Sequence, residues 1–99
     1  VGDPARLSTD VGPVIDEEAR GVILRHVEAL RTKAKIIAEA LAPAGSVNGT
    51  FVRPVAIEIA SLSELTREVF GPVLHVVRFR AAEIEKLVNA VNALGYGLT

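Results

Sequence analysis

Three observations on the sequence predict an α/β fold, an open and mostly parallel sheet with helices packed on it. Two stretches carry apolar residues at steps of three and four, which is the spacing of an amphipathic helix. Two shorter stretches are rich in Val and Ile, as expected for strands. Along the 99 residues the order is helix, strand, short helix, strand, helix. A strand–helix–strand order favours parallel, right-handed pairing of the two strands.

The first helix is predicted over residues 16–42, after an irregular lead-in at 1–15 that contains two Gly-Pro-type breaks. Asp16 can cap this helix, and the two glutamates that follow it lie where the helix dipole favours negative charge. The helix is expected to end near Pro43, with a turn at 45–49. Its apolar stripe consists of Val22, Ile23, Val27, Leu30, Ala34, Ile37, Ala38 and Leu41.

Two strands are predicted, at 50–59 and at 73–79. Pro54 cannot donate a hydrogen bond to a neighbouring strand, so it is expected at an edge, a bulge or a strand start. The second strand is apolar on both faces except for His75 and Arg78, which suits a sheet covered on both sides. Because two strands alone make a poor sheet, further strands from a larger domain are expected beside them.

A short helix is predicted at 61–69, capped by Ser61 or Ser63, and a last helix at 82–94. Gly95 follows the last helix in the usual position for a glycine that ends a helix. The residues of the last helix expected to point inward are Ile84, Leu87, Val88 and Val91.

The composition excludes several classes of protein. Apolar residues make up 49% of the chain even without Gly, so it is globular rather than disordered. A net charge of -1 without a basic stripe argues against nucleic acid as a partner. With Cys 0 and only two His, neither a disulfide nor a self-contained metal site is expected. No membrane span or signal peptide is evident, so a cytoplasmic location is expected.

Isolated polar residues mostly have structural explanations. His26 lies at the edge of the first apolar stripe, where packing or capping is expected rather than catalysis. His75 is expected to be a strand histidine with its hydrogen bonds satisfied. Asp10 and Asp16 suit a turn and a helix cap better than a metal pair.

The segment from Glu68 to Pro72 has residue types that suit a nucleotide cofactor. A carboxylate can accept both hydroxyls of a ribose, and the ring of Phe70 can pack on a nicotinamide. The Gly71-Pro72 pair then makes a rigid turn into the second strand. The alternative is that Glu68 is a solvated residue paired with a neighbouring arginine, Arg67 or Arg80, and that Phe70 is part of the core.

Four blocks resemble, in order, blocks of the aldehyde dehydrogenase superfamily's catalytic domain: LSTDVGPVID at 7–16, GTFVRPVAIEI at 49–59, EVFGPVLHVVRF at 68–79 and NALGYGLT at 92–99. The first three are similar, more specifically, to the 1-pyrroline-5-carboxylate dehydrogenase half of the bacterial proline utilization A family. The resemblance covers essentially the whole chain. It implies a part of an NAD-dependent enzyme that oxidises L-glutamate γ-semialdehyde to glutamate in proline catabolism.

In this family a cysteine attacks the aldehyde, NAD accepts the hydride, and a glutamate activates the water that releases the acid. The resemblance implies that Glu68 holds the hydroxyls of the nicotinamide ribose and that Phe70 packs beside the nicotinamide end. It implies no catalytic residue here, because the cysteine and its helpers lie upstream in the family. The flavin of a proline dehydrogenase half would also lie outside this chain.

The partners implied by the resemblance are the rest of the catalytic domain, NAD and a small aldehyde. The apolar strand and first helix exceed what these elements can cover, so we also expect a homo-oligomer, formed by strand edges or by exchange of the first helix. A hypothesis of a different class remains: a non-enzymatic α/β interaction module that binds a partner, or itself, through its apolar face.

Overall fold

The structure is a computed structural model that describes residues 1–41 and 48–96. Within these residues the chain forms three strands and two α-helices, which confirms the predicted α/β class. The elements are α1 (Glu17–Arg31), β1 (Lys35–Glu39), β2 (Val55–Ile59), β3 (Val73–Val77) and α2 (Ile84–Ala93), with single 3-10 turns at Leu62–Glu64 and Ala81–Glu83.

The three strands form one sheet in the order β1-β2-β3. β2 and β3 are parallel, as the strand–helix–strand order predicts, and Ile57 lies opposite His75. β1 was not predicted, and it runs antiparallel to β2 with Ile36 opposite Ile57. This part of the domain therefore has a mixed sheet with β2 at its centre.

α1 begins where the sequence predicts and ends much earlier. The side chain of Asp16 accepts a hydrogen bond from the backbone N–H of Ala19 at 2.7 Å, which confirms the predicted cap. The helix then stops at Arg31, and the hydroxyl of Thr32 donates to the carbonyl of Ala29 at 3.0 Å. The first turn carries the two predicted glutamates.

The predicted helix at 16–42 is therefore wrong beyond Arg31, because residues 35–39 form β1 instead. Ile36 and Ile37 are β-branched and suit a strand at least as well as a helix. Pairing with β2 satisfies their backbone groups, and Ile36 packs against the core. Residue 42, the end expected near Pro43 and part of the turn expected at 45–49 lie outside the described residues.

The two predicted strands are shorter than expected. The strand predicted at 50–59 begins only at Val55, directly after Pro54, so the proline does stand at a strand start. The strand predicted at 73–79 ends at Val77. There Arg78 turns to Glu58 of β2, and its Nε donates to the carboxylate at 2.8 Å.

The short helix predicted at 61–69 is a single 3-10 turn over Leu62–Glu64. Ser61 caps it, and the carboxylate of Glu64 accepts from the backbone of Ser61 at 3.2 Å, which completes a capping box. The backbone leaves the helical region at Leu65, which packs against the core together with Val69. The apolar residues at 65 and 69 therefore make their core contacts from an irregular segment and not from a helix.

The helix predicted at 82–94 is α2 with the 3-10 turn at Ala81–Glu83 before it. Gly95 follows it with a φ of 74°, as expected for a glycine that ends a helix. The prediction that its apolar face points inward is wrong, because α2 has no buried residue. Ile84, Val88 and Val91 are exposed, and only Leu87 is half-buried.

The core lies between α1 and β2. The side chains of β2 alternate between buried and half-buried, so one face of the strand meets the helix. The apolar stripe of α1 is thus covered, contrary to the expectation that it would be exposed. The buried apolar residues are Ile23, Val27, Leu30, Val52, Val55, Ile57 and Ile59.

The other side of the described chain is less well covered. Leu74 of β3 is 62% exposed, and Phe79 and the apolar face of α2 are exposed as well. Among the residues described, no helix is both long and apolar enough to cross a bilayer.

Candidate functional site

The segment Glu68–Phe70, which we call the arm, projects between the 3-10 turn at Leu62–Glu64 and β3. Its middle residue, Val69, packs against the core and anchors the arm there. The flanking side chains point outward: Glu68 is exposed and Phe70 is 69% exposed. The alternative that Phe70 belongs to the core is therefore wrong within the described structure.

The carboxylate of Glu68 is directed to the surface. Among the residues that the structure describes, the ion pairs involve other carboxylates, and neither Arg67 nor Arg80 pairs with Glu68. An exposed carboxylate two residues from an exposed ring is the arrangement that a nucleoside sugar and its base could contact together.

The arm ends at Gly71, which lies directly on α1. A Cβ atom built on Gly71 would stand 2.5 Å from Cδ1 of Ile23, so a side chain larger than hydrogen would force the buried Ile23 side chain or the backbone at Gly71 to shift. The carbonyl of Pro72 then accepts from the backbone N–H of Val55 at 3.0 Å. The arm is thus fixed at its C-terminal end to both the helix and the central strand.

A groove of about 290 Å³ runs beside the arm. Glu68 and His75 contribute polar groups to it, and the end of α2 contributes apolar and aromatic ones. The residues around the groove are Leu65, Arg67, Glu68, Val69, His75, Val91, Leu94 and Tyr96. A shallow, largely apolar groove with a few polar groups is the usual form of a small-molecule site.

The structure brings His26 of α1 and His75 of β3 together, which the sequence did not indicate. Their Nε2 atoms are 2.8 Å apart, and the ring centroids are 5.1 Å apart with the rings at 76°. The distance between the centroids equals the distance between the two Nε2 atoms plus the distance from centroid to nitrogen in each ring. The two nitrogens therefore lie on the line between the rings and point directly at each other. The predicted structural roles of both histidines agree with this contact.

A head-on contact of this kind is a hydrogen bond between two different tautomers. One Nε2 carries the proton and donates, while the other accepts and carries its own proton on Nδ1. Burial lowers the pKa of His26, and the positive charges of Arg67 and Lys33 lower it further. Burial also lowers the pKa of His75, with a smaller contribution from His26. The lowered pKa values favour the neutral form of both rings at pH 7, and two neutral rings can form this bond because one donates and the other accepts.

We expect the stability of the protein to fall as the pH drops below about 6.5, the ordinary histidine value. Because the folded pKa values are lowered, the unfolded chain binds more protons in this range, so the histidines favour folding fully only above it. Urea unfolding at pH 7.5 and 5.5 measures the loss. A variant carrying both His26→Gln and His75→Gln is the control, because it keeps any effect of the carboxylates on stability in this pH range. If the variant loses as much stability between pH 7.5 and 5.5 as the unaltered protein, the histidine pair does not contribute.

A larger groove of about 670 Å³ lies along α1 and β1 and is lined by charged residues. Glu39 accepts from Arg31 and from Arg53, each at 2.8 Å, and the hydrogen bond from Arg31 lowers its pKa. Through its pair with Glu39, Arg31 joins α1 to β1. Because its ionic groups pair with one another, we assign this groove a structural role.

Metal ligands are not gathered in one place. Within residues 1–41 and 48–96, no three His, Asp or Glu side chains lie close enough together to hold an ion. Asp16 caps α1, as predicted. We take the arm and the groove that Glu68 borders as the candidate site of the described chain.

Comparisons with known proteins identify the family of the chain. The chain matches the model of the "Aldehyde dehydrogenase family" over residues 1–99. It is 50% identical to the bifunctional protein PutA of Klebsiella aerogenes over all of this chain and 8% of that protein. It is 37% identical to a succinate-semialdehyde dehydrogenase [NADP(+)] of Mycobacterium bovis over 99% of this chain and 21% of that protein.

Solved structures show the same relationship. A crystal structure of a variant of proline utilization A from Bradyrhizobium japonicum superposes with a TM-score of 0.86 at 42% identity, over 98% of this chain and 10% of that one. The chain thus spans less than a tenth of the length of its PutA relatives. Sequence and structure together show that the chain belongs to the aldehyde dehydrogenase family.

Proposed function

We propose that this chain is the cofactor-contacting part of an NAD-dependent dehydrogenase that oxidises L-glutamate γ-semialdehyde to glutamate. The observation that carries the proposal is the arm: the exposed carboxylate of Glu68 borders a groove and stands two residues from an exposed ring, directly before the close approach of Gly71 to α1. The similarity to PutA over the whole of this chain supports this substrate rather than the substrates of other aldehyde dehydrogenases.

The residues present fit the nicotinamide half of the cofactor. Glu68 would accept hydrogen bonds from the two ribose hydroxyls, and its charge would strengthen them. Phe70 would pack against the nicotinamide end and exclude water from one side of it. When bound, NAD supplies the hydride acceptor. The arm itself does not distinguish NAD from NADP, because the extra phosphate of NADP is on the other ribose.

The chemistry of the aldehyde carbon requires a nucleophile that these 99 residues do not contain. With Cys 0, no thiolate is available to form the thiohemiacetal. The chain would therefore position the cofactor for a cysteine carried elsewhere in the enzyme. The chain by itself should bind weakly, if at all, and should not turn over.

The proposal is tested by assaying the chain alone and the enzyme that carries it, side by side. With L-glutamate γ-semialdehyde, we expect the enzyme to reduce NAD and the chain alone to produce no NADH. Succinate semialdehyde should be a poorer substrate of the enzyme, measured as kcat/KM. Steady turnover by the pure chain would contradict the argument from the missing nucleophile, and a preference for succinate semialdehyde would contradict the substrate.

We also propose that the isolated chain self-associates through β3 and α2. β3 is the last strand of the described sheet, and exposed apolar side chains lie on it and on α2. Exposed strand edges and apolar patches usually find a partner. Exchange of α1 between copies, the other expected route, would place its three buried residues in the core of a second copy.

Sedimentation velocity at micromolar concentration measures this association. We expect the sedimentation coefficient to rise with concentration, and Leu74→Lys on the exposed part of β3 to reduce the rise. Leu41→Lys, which places the same charge on another exposed leucine away from β3, serves as the matched control. If the chain is a monomer at every concentration, the exposed apolar side chains of α2 and β3 do not drive association, and the proposal is contradicted.

A further inference from the structure

We propose that the hydrogen bond between His26 and His75 positions the arm, so that the two histidines act on the cofactor through Glu68 and Phe70 without contacting the reacting atoms. The role of the arm in cofactor binding rests on the function proposed above. The effect of the histidine pair on the position of the arm does not depend on that function and can be measured separately.

The first argument is the placement of the two contacts on α1. Ile23 meets Gly71 at the end of the arm, and His26, three residues later on the helix, meets His75. Residues three apart are neighbours on a helix surface. One patch of α1 therefore touches the chain on both sides of the point where the arm enters β3.

The second argument is the geometry of the histidine contact. Because the Nε2 atoms face each other at 2.8 Å, the proton on one Nε2 is shared with the lone pair of the other. Neither Nε2 is available to a substrate or to a metal ion. The pair is thus suited to holding two elements together, and His75 also borders the groove that contains Glu68.

The third argument is that β3 does not need the pair in order to stay in the sheet. Its five residues are in continuous register with β2, from Val73 opposite Val55 to Val77 opposite Ile59. Loss of the histidine bond should therefore leave the strand paired. The freedom gained should appear in the less supported residues before it, which are those of the arm.

The test compares His75→Leu with His75→Gln in the enzyme that carries this chain. Leucine removes the bond, whereas the glutamine amide can donate or accept and so can pair with either tautomer of His26. Backbone hydrogen exchange is followed by mass spectrometry in a peptide covering residues 66–72 and in one covering β2. We expect His75→Leu to speed exchange in the arm about fivefold, as for the loss of one hydrogen bond of ordinary strength.

Exchange in β2 should stay the same, and His75→Gln should return exchange in the arm to the rate of the unaltered enzyme. The KM for NAD should rise in the leucine variant more than kcat falls, and glutamine should recover it. Unchanged exchange in the arm would overturn the proposal, as would equal acceleration in β2, which indicates general loosening.

The two proposals fail differently. If exchange responds as expected while Glu68→Gln leaves the KM for NAD unchanged, the histidine pair positions the arm and the arm has no role in cofactor binding. If Glu68→Gln raises that KM while exchange in the arm is unaffected by His75→Leu, the cofactor role stands and the positioning role is overturned.

Discussion

Replacing Glu68 by Gln in the enzyme that carries this chain is expected to raise the KM for NAD, or to lower turnover, by about tenfold or more. Hydrogen bonds to a charged group contribute about 1.5–3 kcal/mol, and neutral ones about half as much. A loss of about 1.4 kcal/mol corresponds to a factor of ten in an equilibrium constant. Glutamine keeps the shape of the side chain, so the difference reports the charge. Steady-state kinetics and direct titration of NAD measure it.

The matched control is Glu85→Gln, the same change at an exposed glutamate of α2 that does not border the groove. It should leave the KM for NAD unaltered. If the two variants behave alike, Glu68 is a solvated surface residue, as the alternative interpretation of the sequence has it. The proposed role of the arm would then have to be given up.

Replacing Ile57 by Ala is expected to lower the free energy of unfolding of the chain by about 2–5 kcal/mol, the range for large apolar residues deleted from a core. Ile57 is the centre of β2, is 0% exposed and is flanked by the other two strands. Because domains of this size are stable by only about 5–15 kcal/mol, the variant loses much of its margin. Urea unfolding gives the value.

Ile37→Ala serves as the control for that experiment. It removes the same atoms from β1, but Ile37 is 46% exposed and leaves a smaller cavity or none. Its loss should be clearly smaller. Equal losses at the two positions would mean that burial against α1 is not what stabilises the sheet.

The sequence allowed the start of α1, the presence of two strands and their parallel pairing to be predicted, because these depend on local signals and on the order of elements. Asp16 marks a helix start, and runs of Val and Ile mark strands. β1 could not be predicted in this way. Its residues continue the helical spacing of α1, and only β2, which comes later in the chain, decides in favour of a strand. Tertiary pairing here overrides periodicity.

The residues of the candidate site also differ in whether the sequence predicts them. Glu68 and Phe70 follow from a short motif and from a family resemblance carried by neighbouring residues. The histidine pair joins positions 49 residues apart, and neither position reveals the other. The one available hint was that His75 is the lone polar residue within the apolar run at 73–77, which predicts a partner without identifying it.

The location of the core has a consequence for the order in which the chain folds during synthesis. Each buried apolar residue of the described structure lies between Ile23 and Ile59. Once Ile59 has left the ribosome, α1, β1 and β2 can close on one another before the rest is made. β3 then adds to an edge that already exists. The arm lies between β2 and β3 in the chain, so it takes its place as β3 adds to the sheet and Gly71 packs on α1.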